Sequence, residues 1–130
     1  MKKILKHFFV LFICTYIYSV DEELILSQEF PDKLSDFRFF KDASAQVPHD
    51  KVIPYELIST LFSDYSYKQR WVYVPNEKKA EYQEDWVFNF PTGSALIKTF
   101  YYPIDERNPE LGKNLLETRL LLKMDQGWEA

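Results

Sequence analysis

Cysteine is almost absent from this 130-residue chain, and its single copy, Cys14, lies in the N-terminal leader described below. Beyond that leader there can be no disulfide, no thiolate metal site and no Cys-x-x-Cys-His attachment for a covalent haem. Histidine is nearly as scarce: outside the leader only His49 remains, so no histidine-based metal cluster is available. Glycine numbers only 3. No phosphate loop, Rossmann glycine pattern or nucleophile elbow can be found. Basic residues are outnumbered as well, with 16 Lys and Arg against 20 Asp and Glu, a formal net charge of -4. The two short basic runs, Lys68-Gln69-Arg70 and Lys78-Lys79, have acids nearby. Read linearly they offer no patch for a phosphate backbone, and no nucleic-acid partner is expected.

Aromatic residues are what the chain has in abundance, at 18%. Such residues suit half-buried pleated surfaces, so the composition leans towards β structure and away from disorder. The length allows one domain at most.

The first 19 residues have the parts of a secretory signal. Lys2, Lys3 and Lys6 give a positive start, 8–17 is an apolar run too short to span a bilayer stably, and Ser19 is a small residue for cleavage. Removing the leader takes 3 of the 16 basic residues and no acid, leaving 13 against 20 and a net charge of -7. The expected product is periplasmic, extracellular or on the cell surface of a bacterium, with no stable membrane span after cleavage.

Residues 20–33 read as a linker or edge segment. The stretch 34–130 reads as one β-rich domain. Leu34, Phe37 and Phe40 are spaced for a helical turn, and 55–65 fits either a short helix opened by Pro54 or an ordered loop. Strands are expected at 71–74, 86–90, 95–102 and 114–124, stopped in turn by Pro75, Pro91 and Pro103. Ile97, Thr99 and Tyr101 alternate with Lys98, Phe100 and Tyr102. Likewise Leu116, Thr118, Leu120 and Leu122 alternate with Glu117, Arg119 and Leu121. Asp125-Gln126-Gly127 reads as a hairpin turn into a last strand at Trp128, from which a C-terminal truncation of the domain is expected. The fold class is therefore mainly β: an incomplete antiparallel β-sandwich-like domain with one or two short helical turns before the sheet.

Paired carboxylates occur at Glu84-Asp85 and Asp105-Glu106, but in charged loops, where nothing shifts their pKa towards acid–base work. A more informative set is Lys98, Glu117 and Arg119, three charges inside apolar strands. If the two strands pair, these side chains lie together, either as a cross-strand ion pair or as a contact for an anionic ligand. Trp71 and Trp86 are the aromatic candidates. They belong either to a core or to a stacking platform for sugars or a planar cofactor.

Five blocks then resemble the N-terminal part of a family of exported bacterial repeat-containing proteins, some of them diheme c-type cytochromes. They are Val52-Ile53-Pro54-Tyr55-Glu56-Leu57, Thr60-Leu61-Phe62-Ser63-Asp64-Tyr65, Lys68-Gln69-Arg70-Trp71-Val72-Tyr73-Val74-Pro75, Phe90-Pro91-Thr92-Gly93-Ser94-Ala95-Leu96-Ile97-Lys98-Thr99-Phe100 and Leu116-Glu117-Thr118-Arg119-Leu120-Leu121. The resemblance implies an exported accessory domain associated with c-type cytochrome electron transfer. It would carry no catalysis of its own and would partner other envelope or redox proteins. Haem c belongs to fuller-length relatives, and no cofactor or metal is expected in this chain. The alternatives are a carbohydrate- or ligand-binding β-sandwich module and a fragment of an envelope enzyme.

Overall fold

The computed structural model describes residues 19–27 and 29–130. The leader, apart from Ser19, lies outside these residues. The chain divides into two compact units, Met1–His49 and Asp50–Ala130. The stretch read as one domain from 34 to 130 crosses that division.

The first unit is small. Helix α1, Glu22–Leu26, occupies part of the stretch read as a linker or edge segment. Asp21 caps it by accepting a hydrogen bond from the Leu24 amide at 3.0 Å, and Glu22 and Glu23 place negative charge at the positive end of the turn. The Asp21 carboxylate also pairs with Arg38. A 3-10 turn, Leu34–Phe37, follows and buries Phe37 against Phe39, the two rings stacked at 5.6 Å. A short antiparallel ribbon of β1, Phe40–Asp42, and β2, Val47–Pro48, completes the unit.

The second unit is an antiparallel sheet of five strands in sequence order: β3 (Val52–Pro54), β4 (Tyr67–Tyr73), β5 (Ala95–Pro103), β6 (Lys113–Met124) and β7 (Gly127–Glu129). Every neighbouring pair is antiparallel. Strand outweighs helix 37% to 11% and neither sheet closes into a barrel, so the protein is mainly β with short helical turns before the main sheet. Trp71, Tyr73, Ala95, Ile97, Thr99 and Leu122 form a buried inner face. Burying a side chain as large as Trp71 is worth about 1.5–3 kcal/mol. Within this face the Thr99 and Thr118 hydroxyls satisfy each other across β5 and β6 at 2.7 Å.

Two features depart from the sequence reading, and a third decides between its alternatives. Residues 86–90 are not a strand. They lie in the long β4–β5 connection, where the pairing is a single isolated bridge between Glu81 and Asn89 with backbone bonds of 2.9 and 3.0 Å. Of the two readings of 55–65 the ordered loop is the one the chain adopts; Asp64 and Tyr65 take positive φ of 41° and 59°, which no helix tolerates. Finally, the β5–β6 register shifts between Phe100 and Tyr101, where Glu117 and Leu115 are the successive partners. Leu116 is the extra residue of a bulge. The alternation that put it with Thr118, Leu120 and Leu122 ends there, and Leu116 is left 54% exposed.

Candidate functional site

The outer face of the five-stranded sheet is built by strand alternation. On β4, Lys68, Arg70 and Val72 share one side, because side chains two apart point the same way. Antiparallel register then sets Arg70 opposite Lys98 and Lys98 opposite Arg119. The next row towards the bulge holds Lys68, Phe100 and Glu117. Neighbouring strands lie about 4.8 Å apart, so three cations cross the sheet in a row of roughly 10 Å.

The Phe100 ring sits at the centre. Lys98 Nζ lies 4.9 Å from its centroid, the Arg119 guanidinium 5.0 Å and Lys68 Nζ 5.8 Å. The negative ring face draws cations together that would otherwise separate. Among the described residues one carboxylate forms an ion pair within the cluster: Glu117 pairs with Arg119 at 2.6 Å. Among the described residues neither Arg70 nor Lys98 has an ion-pair partner. Four cations and one carboxylate give this cluster a net of +3 in a chain whose total is -4. Lys98 registers the crowding. Its pKa is pushed below the usual lysine value, first by burial, then by Arg119, Arg70 and Lys68, with Glu117 acting the other way.

A loop walls the site on the β4 side. Lys68 Nζ donates to the Leu61 carbonyl at 3.1 Å and the Ser66 carbonyl at 3.2 Å, and the Tyr102 hydroxyl donates to the Asp64 carbonyl at 2.8 Å. These bonds hold the Asp64–Tyr65 turn in place. Between the loop and β4 opens a cleft of about 580 Å³, whose lining includes Lys68, Arg70, Glu56, Glu106, Tyr67 and Tyr101. Arg70 is only 9% exposed, so it supplies charge from beneath the surface. The Tyr67 and Tyr101 rings lie 5.6 Å apart, and burial, followed by Tyr67 and Glu56, raises the Tyr101 pKa.

The structure thus brings Lys98, Glu117 and Arg119 together and adds Lys68 and Arg70, which linear reading set aside as a short run. Their signal was the Lys-x-Arg spacing, which in a strand puts both on one face. The two tryptophans separate. Trp71 lies opposite Ile97 on the inner face at 3% exposure, which removes it from any surface contact. Trp86 is 78% exposed in the β4–β5 connection. In the Asp105-Glu106 pair, Arg107 binds Asp105 through side-chain and backbone hydrogen bonds and holds its carboxyl below the usual range. Among the described residues no group of three His, Cys, Asp or Glu could hold a metal. A covalent haem does not fit them, since they include no cysteine and a single histidine, His49. No helix among them is long and apolar enough to cross a membrane.

Comparison with protein-family models, with curated proteins and with solved structures finds no match to this chain.

Proposed function

We propose that the chain is a non-catalytic binding module of an exported bacterial envelope protein, and that the outer face of its sheet docks an anionic group. The setting is the accessory role beside c-type cytochrome electron transfer that the five sequence blocks imply. The Arg70–Lys98–Arg119 row carries the reading. Like charges placed directly opposite on neighbouring strands destabilise a sheet. A protein acidic overall that keeps three in a row, with one carboxylate to offset them, has its electrostatic complement elsewhere. A carboxylate, sulfate or phosphate group laid across the row would supply it through charge-assisted hydrogen bonds.

The test is titration of the protein with inorganic polyphosphate at low salt, followed by backbone and side-chain NMR. Shifts confined to β4–β6 around residues 68, 70, 98 and 119, fading as salt rises, are expected. The variant Lys98→Gln should weaken binding severalfold. Uniformly spread shifts, or equal affinity in Lys98→Gln, would remove the outer face as a binding surface.

A further inference from the structure

The same face has a second end. Beyond the cationic row comes an apolar row of Val72, Leu96 and Leu121, and beyond that Lys123 stands opposite Trp128. Arg119 and Lys123 are four residues apart on one strand, a separation of about 13 Å. At this far end the β4–β5 connection folds its aromatic residues beside Trp128. Rings run edge to face from Tyr82 to Phe88 at 6.0 Å, Phe88 to Phe90 at 6.3 Å and Phe90 to Trp128 at 5.7 Å. Trp86 shares with Phe88, Phe90, Trp128 and Lys123 a shallow cleft of about 240 Å³. Asn89 and Gln83 give it polar edges. The bridge from Glu81 to Asn89, reinforced by a 3.1 Å bond from the Asn89 amide to the Glu81 carboxylate, fixes the connection in place.

We infer that the outer face holds an acidic glycan lengthwise, with its anionic group on the Arg70–Lys98–Arg119 row and an uncharged sugar stacked at Trp86 and Trp128. This rests on the anion-docking reading above and names its ligand class. The charge layout selects the chemistry. Glu81, Glu84 and Asp85 are exposed around the aromatic end, so a ligand charged along its whole length is repelled there while one charged at the far end is not. That disfavours nucleic acid, with its phosphate at every nucleotide. The face is open, so an acyl chain laid on it would stay largely wet. A sugar has an apolar C–H side to stack on an indole and hydroxyls that remain in water or bond to Asn89 and Gln83. An added peptide strand would use a free sheet edge rather than this face.

The experiment titrates the whole chain with four probes: a glucose oligomer ending in a single glucuronate, a neutral glucose oligomer of equal length, inorganic polyphosphate and single-stranded oligothymidylate. Calorimetry and tryptophan fluorescence are the readouts, with Trp86→Ala and Lys98→Gln as variants. Trp86 is exposed, so its removal does not threaten the fold. The glucuronate-ended oligomer should bind most tightly. Trp86→Ala should weaken it about tenfold, as expected for an aromatic contact, and leave polyphosphate unchanged, whereas Lys98→Gln should weaken both. Binding of the glucuronate-ended oligomer unaffected by Trp86→Ala, or matched by the neutral oligomer, overturns the inference. Polyphosphate binding alone also overturns it but leaves the anion-docking face standing, and binding of none of the probes overturns both. Tighter binding of oligothymidylate replaces the glycan with single-stranded nucleic acid.

Discussion

Reversing the charge at Lys98 should make this protein more stable. In the register Lys98 faces Arg70 on one side and Arg119 on the other. A directly opposed pair is worth roughly 0.2–1 kcal/mol, favourable for opposite charges and unfavourable for like ones. Lys98→Glu changes two such pairs from repulsive to attractive, a gross gain of about 1–4 kcal/mol on that scale. Against it stands the lost contact with Phe100, worth about 0.5–1 kcal/mol at an exposed site. That loss is softened because Arg119 and Lys68 still cover the ring at 5.0 and 5.8 Å. Repulsion between the new carboxylate and Glu117 reduces the gain further. A net gain of about 1 kcal/mol is expected, which with a slope of about 2 kcal/mol per molar would raise the urea midpoint by roughly 0.5 M. The gain should shrink in about 1 M sodium chloride, where charges are screened within about 3 Å. Anion binding should be lost in the same variant. A lower midpoint at low salt, or a gain indifferent to salt, would refute the argument that the row is held together against its own repulsion.

Other outcomes follow from individual contacts. Burial raises the Tyr101 pKa above its ordinary 10.0. The neutral phenol therefore contributes stability that is complete below about pH 10 and lost as pH climbs through the raised value; thermal melts of Tyr101→Phe should be flatter than those of the parent across that window. The Thr99–Thr118 pair should respond asymmetrically. Thr118→Val strands the fully buried Thr99 hydroxyl and should cost about 1–3 kcal/mol in urea unfolding, while adding Thr99→Val should recover most of it. Asp21→Ala removes both the cap of α1 and the partner of Arg38, and a loss of about 1–2 kcal/mol by thermal denaturation is expected.

The sheet was legible where local signals agreed. Strands β5 and β6 alternate over Ala95–Phe100 and Glu117–Leu122, Pro91 precedes the first and Pro103 closes it, and the Asp125-Gln126 turn does lead into β7. Residues 86–90 misled because an apolar aromatic run satisfies strand composition without saying whether a partner strand exists. Here ring-on-ring contacts take the place of a ladder. Trp71 and Trp86 look alike in sequence, and only the pairing of Trp71 with Ile97 separates core from surface. The charged site was half visible. Three of its members stood out as charges inside apolar strands, but Arg70 and Lys68 join them through a register that no local pattern encodes. The bulge at Leu116 left no mark either, since one extra residue in a strand resembles any other.

That bulge bears on how the protein tolerates changes in length. On its far side lies the connection from Ile104 to Gly112, closed by a backbone bond of 3.0 Å between those two residues. Pairing from Glu117 to Leu122 is set independently, against Phe100 back to Ala95. A bulge is a joint where the ladder has already been interrupted. Lengthening or shortening 104–115 by a residue changes the size of that interruption and need not slide the rows beyond it. A one-residue slip anywhere in 117–122 would instead turn Glu117 and Arg119 onto the buried face and break the row. The docking surface is thereby insulated from the loop at one end of its own strands, and that loop is the natural position for a tag, a label or an inserted segment.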